Sequence, residues 1–417
     1  MGYDEIDHDI DKDMGWTQGR RKPSPRRGPD YWQALLRTAR ASSPLWRGLR
    51  NLSRSLGKVF LFPIISPLGY TKHFDINGDM MIVKRSFLWR LADAVLTRVL
   101  LAPVILAIFL IAVVYASTHP RNVRALGTPD AYGTYFSRVN LVTVDNQRLT
   151  AWYIPALTAD EVAFDPEGTL AQKWPSVVLC HGLGATHDQY LPLAQEMHKA
   201  GFAVLMIDMR GQGESDVAAV TFGLRERLDV LAGVKFLRET SSIDPGKVCV
   251  VGHNIGGMAA LQAATLDSSI TAIVADGLWP RFEERARDIF SRPTADTWGV
   301  GGSRLPTAWM APLYTLTFEI AVRDRLSQLD PGAIVRNLHR QPVLFIARTG
   351  PEYAPVRDIM NLASTAGSQH DVFVDNPGSP DATNARIRDF LLKTTKWKGP
   401  KAHGIEQIQK LLENQVK

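Results

Sequence analysis

Near its middle the chain reads Val248-Cys249-Val250-Val251-Gly252-His253-Asn254-Ile255-Gly256-Gly257. The apolar run ending at Gly252 suits a strand buried on both faces. Gly252 and Gly256 supply the small residues that a tight turn demands. A helix pattern follows, so the stretch predicts strand, sharp turn and helix, with Asn254 at the corner. Outward from it, other short apolar runs alternate with amphipathic helices: Ser176–Cys180, Ala203–Asp208, Ile270–Asp276, Pro342–Ala347 and Val372–Asp375. Val139–Val144 and Leu149–Ile154 flank Asp145-Asn146-Gln147 and read as a hairpin, followed by an irregular insert to about Lys173. Such alternation predicts an α/β fold with a mostly parallel sheet covered on both faces. Functional sites in such sheets lie at the carboxyl ends of the strands.

Three motifs stand at three successive strand ends. His181-Gly182-Leu183-Gly184 follows the third strand, Asp208-Met209-Arg210-Gly211-Gln212-Gly213-Glu214-Ser215 the fourth, and Gly252-His253-Asn254-Ile255-Gly256-Gly257 the fifth. As a set they resemble the α/β-hydrolase superfamily, in its serine-aminopeptidase and dienelactone-hydrolase-like branch, over about residues 130–395. The resemblance implies an oxyanion loop at residue 181, a nucleophile elbow at residue 254 and a variable helical cap over about 277–340.

It also implies a catalytic triad, and all three positions hold the wrong residue. The elbow needs a serine hydroxyl, and Asn254 offers a carboxamide whose nitrogen lone pair is delocalised into its carbonyl. The acid position falls on Pro351, with Glu352 one residue away. The base position, in the loop Asn376-Pro377-Gly378-Ser379-Pro380-Asp381, falls on Pro380 or Asp381 and has no histidine. His370 precedes its strand and is expected roughly 15 Å below the catalytic edge. A triad member is of little use without the others. No catalytic residue is therefore expected.

What the resemblance leaves is a vestigial oxyanion hole from the backbone N–H groups of Leu183 and Ile255. His181 and His253 read as supports of the loop and the turn. His187 reads as a solvated residue at a helix start, or as one pointing into the pocket. No metal-ligand cluster, phosphate loop or basic patch with interleaved aromatics occurs in the large domain, so neither a cofactor nor nucleic acid is implied. Cys180 and Cys249 fall in apolar strands and read as core packing.

The N-terminal quarter differs in kind. Residues 1–98 hold 17 Lys/Arg against 10 Asp/Glu, although the whole chain carries only +6, so the remainder sums to −1. Basic charge concentrated there points to a membrane surface. Val99–Ala116 runs 18 residues without a charge, roughly 27 Å as a helix, which matches a bilayer core. A span over 99–118 is expected, with residues 1–44 a disordered charged tail and 45–98 a basic amphipathic region. Leu45, Leu49, Leu52, Leu56 and Phe60 recur at helical spacing among Arg47, Arg50, Arg54 and Lys58, a pattern for anionic lipid or for packing on the span. Lys84, Arg85, Arg90 and Arg98 precede the span, so the positive-inside rule places the N-terminus in the cytoplasm and the large domain outside it. The large domain is expected over 127–396, and a tail helix over 397–417.

Three functions fit these readings. One is a membrane-anchored pseudohydrolase that binds an unknown small molecule or protein. Another is an active ester or peptide hydrolase using Glu352 with His187 or His403. The third is a purely architectural spacer.

Overall fold

Strands rich in Val, Ile and Leu need cover on both faces, and that requirement organises the large domain. The computed structural model describes residues 70–74, 80–84, 86–157, 171–279, 282, 309–338, 341–350, 353–366, 369–375 and 380–398. Two strands, β1 (Tyr70–Phe74) and β2 (Met80–Lys84), pair antiparallel ahead of the long helix α1 (Phe87–Thr118). The chain divides into two compact units, Met1–Ile105 and Leu106–Lys417, with the boundary inside α1.

The second unit holds an eight-stranded sheet in the order β10-β9-β8-β7-β5-β6-β4-β3. Its strands are β3 (Ser137–Val142), β4 (Arg148–Ile154), β5 (Trp174–Cys180), β6 (Ala203–Ile207), β7 (Ile243–His253), β8 (Ile270–Asp276), β9 (Val343–Arg348) and β10 (His370–Asp375). β3 and β4 form the antiparallel edge, with Asn146 in the left-handed region at their turn, and β4 also runs antiparallel to β6. Every pairing from β6 through β5, β7, β8 and β9 to β10 is parallel.

Alternation along β5 separates two cores. Val178 and Cys180 join the face covered by α3 (Glu226–Glu239), α4 (Ile255–Leu266), α5 (Met310–Val322), α6 (Pro331–Arg336) and α7 (Val356–Ser364). Val177 and Leu179 join the opposite face, under α2 (Leu191–Lys199) and α8 (Pro380–Thr395). The doubly covered parallel sheet with an antiparallel edge is the expected fold.

The N-terminal boundaries differ from the sequence reading. The apolar helix begins at Phe87, ahead of the uncharged run, and ends at Thr118. Arg90, Asp93 and Arg98 limit how deep those turns could sit in hydrocarbon, but charge does not interrupt helix geometry. Two strands also fall inside the 45–98 region read as amphipathic. The amphipathic stretch 45–60, the tail 1–44, residues 280–281, 283–308 and 339–340 of the 277–340 cap, and the tail from 399 onward lie outside the described residues.

Candidate functional site at the residue-254 turn

β7 delivers Asn254 to the carboxyl edge of the sheet at φ 52°, ψ −110°. A non-glycine residue there is strained, and the surroundings hold it. Asn254 N–H donates to the Asp276 carbonyl at 2.8 Å, and its own carbonyl accepts from Met258 N–H at 3.1 Å. Glycine is obligatory on either side: a Cβ on Gly252 would meet the Gly256 backbone at 2.2 Å, and one on Gly256 the Cys180 carbonyl at 2.2 Å. The Asn254 side-chain oxygen is buried with no hydrogen-bond partner among the described residues.

The oxyanion loop is built beside it. Gln189 accepts from Gly182 N–H at 3.1 Å and Gln212 from Gly184 N–H at 2.6 Å, which fixes the peptides on both sides of Leu183. The N–H groups of Leu183 and Ile255 have no acceptor among the described residues. His181 donates from Nδ1 to the Gly182 carbonyl at 2.8 Å and accepts at Nε2 from Met209 N–H at 3.0 Å. With both nitrogens engaged the ring is neutral. Burial pushes its pKa down and outweighs the Gly182 hydrogen bond and the nearby Asp208 charge.

His187 is not a solvated helix-start residue. Only 1 % of it is exposed, its Nδ1 lies 2.7 Å from Asp208 and its ring centroid stands 3.7 Å from that of Trp152. The aromatic ring and the carboxylate together draw it inward. Asp208 also accepts from the N–H groups of His187 and Glu214, both at 2.8 Å. Burial raises the Asp208 pKa, but His187 and these N–H donors outweigh it and hold the carboxyl below its usual range.

The side chains that replace a triad were missed by sequence reasoning. Asp276 ends β8, Arg348 ends β9 and Asp375 ends β10. Arg348 forks onto both Asp276 oxygens at 2.6 Å and reaches Asp375 at 3.0 Å. Thr383 of α8 donates to the other Asp375 oxygen at 2.8 Å. His253 places Nδ1 3.1 Å from Asp276, with its ring edge-on to Tyr353. Burial raises the Asp276 pKa, and the His253 and Arg348 contacts more than reverse this, leaving the carboxyl below its usual range. The signal was available: two neighbouring apolar runs end in Asp276 and Asp375, and the third, Pro342–Ala347, is followed at once by Arg348.

The other expected positions divide. Pro380 and Asp381 lie exposed in the first turn of α8. Pro351, Glu352 and His403 lie outside the described residues. The two thiols are buried and resist ionisation; burial pushes Cys249 up to about 12 and Cys180 higher still, with the Asp229 charge adding to the latter. Among the described residues no cluster of His, Cys, Asp and Glu could hold a metal ion.

Residues 175–294 match the family model of the alpha/beta hydrolase fold. With the strand order and the elbow, this gives the large domain the α/β-hydrolase fold. The chain is 32 % identical over 117 residues to an uncharacterised 31.7 kDa protein of Escherichia coli, covering 26 % of this chain and 38 % of that one. A thiohydrolase of Aspergillus aculeatus is 29 % identical over 137 residues, 32 % of this chain and 43 % of that enzyme. The chain thus spans less than half the length of these relatives. A solved esterase from Pyrococcus furiosus is 20 % identical with a TM-score of 0.49, covering 67 % of this chain and 98 % of that one.

Proposed function

We propose that this protein is a membrane-anchored hydrolase scaffold without serine-hydrolase chemistry, whose large domain binds a small molecule or a protein. One observation carries the reading: Asn254 occupies the strained elbow, where a nucleophile would need an ionisable oxygen or sulfur. The Arg348 bridge supports it, because a guanidinium clamped between two carboxylates ties the ends of β8, β9 and β10 together. In this reading α1 is the anchor, being long and apolar enough to cross a membrane, and the positive-inside bias sets the large domain outside the cytoplasm.

A second reading, an active hydrolase with an unusual constellation, draws on the His253–Asp276 pair. That pair sets an imidazole against an aspartate directly beside residue 254, a juxtaposition that an inert scaffold does not require. Two facts weigh against it. Both Asp276 oxygens are already held by Arg348, and no serine or ionisable thiol among the described residues is hydrogen-bonded to the ring. His187, the other imidazole considered, is buried against Trp152.

The test is fluorophosphonate labelling of the wild-type protein together with a panel of aryl esters. No labelling and no turnover above background are expected. Asn254→Ser alone should stay inactive. Labelling of a single serine in the wild type, or a burst from the variant that disappears on adding His253→Ala, would make His253 a working base and overturn the reading.

A further inference from the structure

A helix that is apolar all round belongs inside a protein or inside lipid. α5 is such a helix. Its inner face, Met310, Tyr314, Phe318 and Val322, is buried in the core of the second unit. Its outer face runs Trp309, Pro312, Leu316 and Ile320, with Leu316 55 % and Ile320 68 % exposed. Glu319, the only charged side chain within the helix, is turned to accept from Leu326 N–H at 2.8 Å.

Beside it lies the last part of α1. Leu110, Val113 and Val114 share the core with α5, and the Ser117 and Tyr314 hydroxyls are hydrogen-bonded at 2.8 Å. The outward residues Ile111 and Tyr115 are 60 % and 65 % exposed. They and His119 line a groove of about 560 Å³ with Thr317, Ile320 and Arg225. Cations stand at its rim: Arg225 donates to the Val322 carbonyl at 2.8 Å, and Arg323 and Arg325 are exposed at the end of α5. Apolar surface bordered by a tryptophan and arginines is the composition of a bilayer's headgroup boundary.

We propose that the outer face of α5 and the exposed end of α1 are seated in the headgroup–acyl boundary of the bilayer that α1 crosses, so that the cap side of the large domain lies on the membrane. The occupant is lipid, because this face continues from the apolar span and carries basic residues that complement anionic headgroups. The inference rests on the membrane-anchor reading.

Nitroxide labels at Leu316→Cys and Ile320→Cys test it in the full-length protein, reconstituted in vesicles of phosphatidylcholine and phosphatidylserine. The native Cys180 and Cys249 are buried and do not compete for label. Ile108→Cys serves as the span reference and exposed Leu266→Cys as the aqueous one. The expected result is an oxygen-to-nickel-complex accessibility ratio at 316 and 320 several-fold above that at 266, approaching that at 108. A lipid signal at 108 with water-like values at 316 and 320 overturns this proposal alone. Low accessibility to both reagents at 316 and 320 marks a protein contact and overturns it as well. Water-like values at 108 remove the span, and this proposal with it.

Discussion

Arg348 has more at stake than any other polar residue at the strand ends. Asp276 is only 3 % exposed and Asp375 9 % exposed, and both lean on that guanidinium. Removing one partner of a buried pair costs far more than the pair contributes, because the remaining charge stays desolvated. Arg348→Ala should therefore lose about 3 kcal/mol at neutral pH, read as a drop in the denaturation midpoint in detergent. The deficit has a pH signature. The native pairing holds Asp276 below its usual range, so its contribution is present above the unfolded value of about 3.9 and lost as pH falls through the folded one. In the variant the carboxyl titrates higher, so the deficit should shrink on acidification. A deficit that is flat from pH 7 to pH 4 would mean that Arg348 acts by packing alone. Asn254 shows what one residue type conveys: its chemistry was legible at once, whereas its unpartnered side-chain oxygen depends on neighbours distant in the chain.

Among the elements, β7, its turn and α4 read most directly. An apolar run, two spaced glycines and a helix pattern are local signals, and the turn geometry follows from sterics between Gly252, Gly256 and the Cys180 carbonyl. Gly256→Ala forces a Cβ to 2.2 Å from that carbonyl, where only backbone could yield, and should cost about 3 kcal/mol or more. Gly246→Ala, exposed and with its nearest neighbour at 3.4 Å, should be close to neutral. Similar midpoints for the two variants would contradict the close-packed elbow. The start of α1 was less legible, because hydropathy marks where a helix could enter lipid and not where its hydrogen bonds begin. His187 was misplaced for a related reason: the carboxylate and indole that bury it come from Asp208, just past the end of β6, and from Trp152 in β4.

For the molecule as a whole, buried groups pull in opposite directions near neutrality: burial pushes the Asp229 carboxyl up to about 7, so its contribution to stability grows as pH falls from 7 toward 4. His181 is neutral and its pKa is pushed down by burial, so it disfavours the fold once protons bind the unfolded chain, below about pH 6.5. Asp208 and Asp276, both held below their usual range, add an acid limb below about pH 3.9. His181 and Asp229 offset each other between pH 7 and pH 5, so apparent thermal midpoints in detergent should fall steeply only below pH 4. A midpoint unchanged from pH 4 to pH 3 would show that Asp208 and Asp276 accept protons without losing their native partners. Periodicity, glycine spacing and strand-end motifs are near-neighbour properties, so the linear chain already specified the sheet class, the elbow and the missing hydroxyl at residue 254. The Asp276–Arg348–Asp375 bridge, the His253 contact and the shared apolar face of α1 and α5 join residues far apart in sequence. Such contacts have no local periodicity to reveal them, and they arise only when folding brings separate strand ends and helices together.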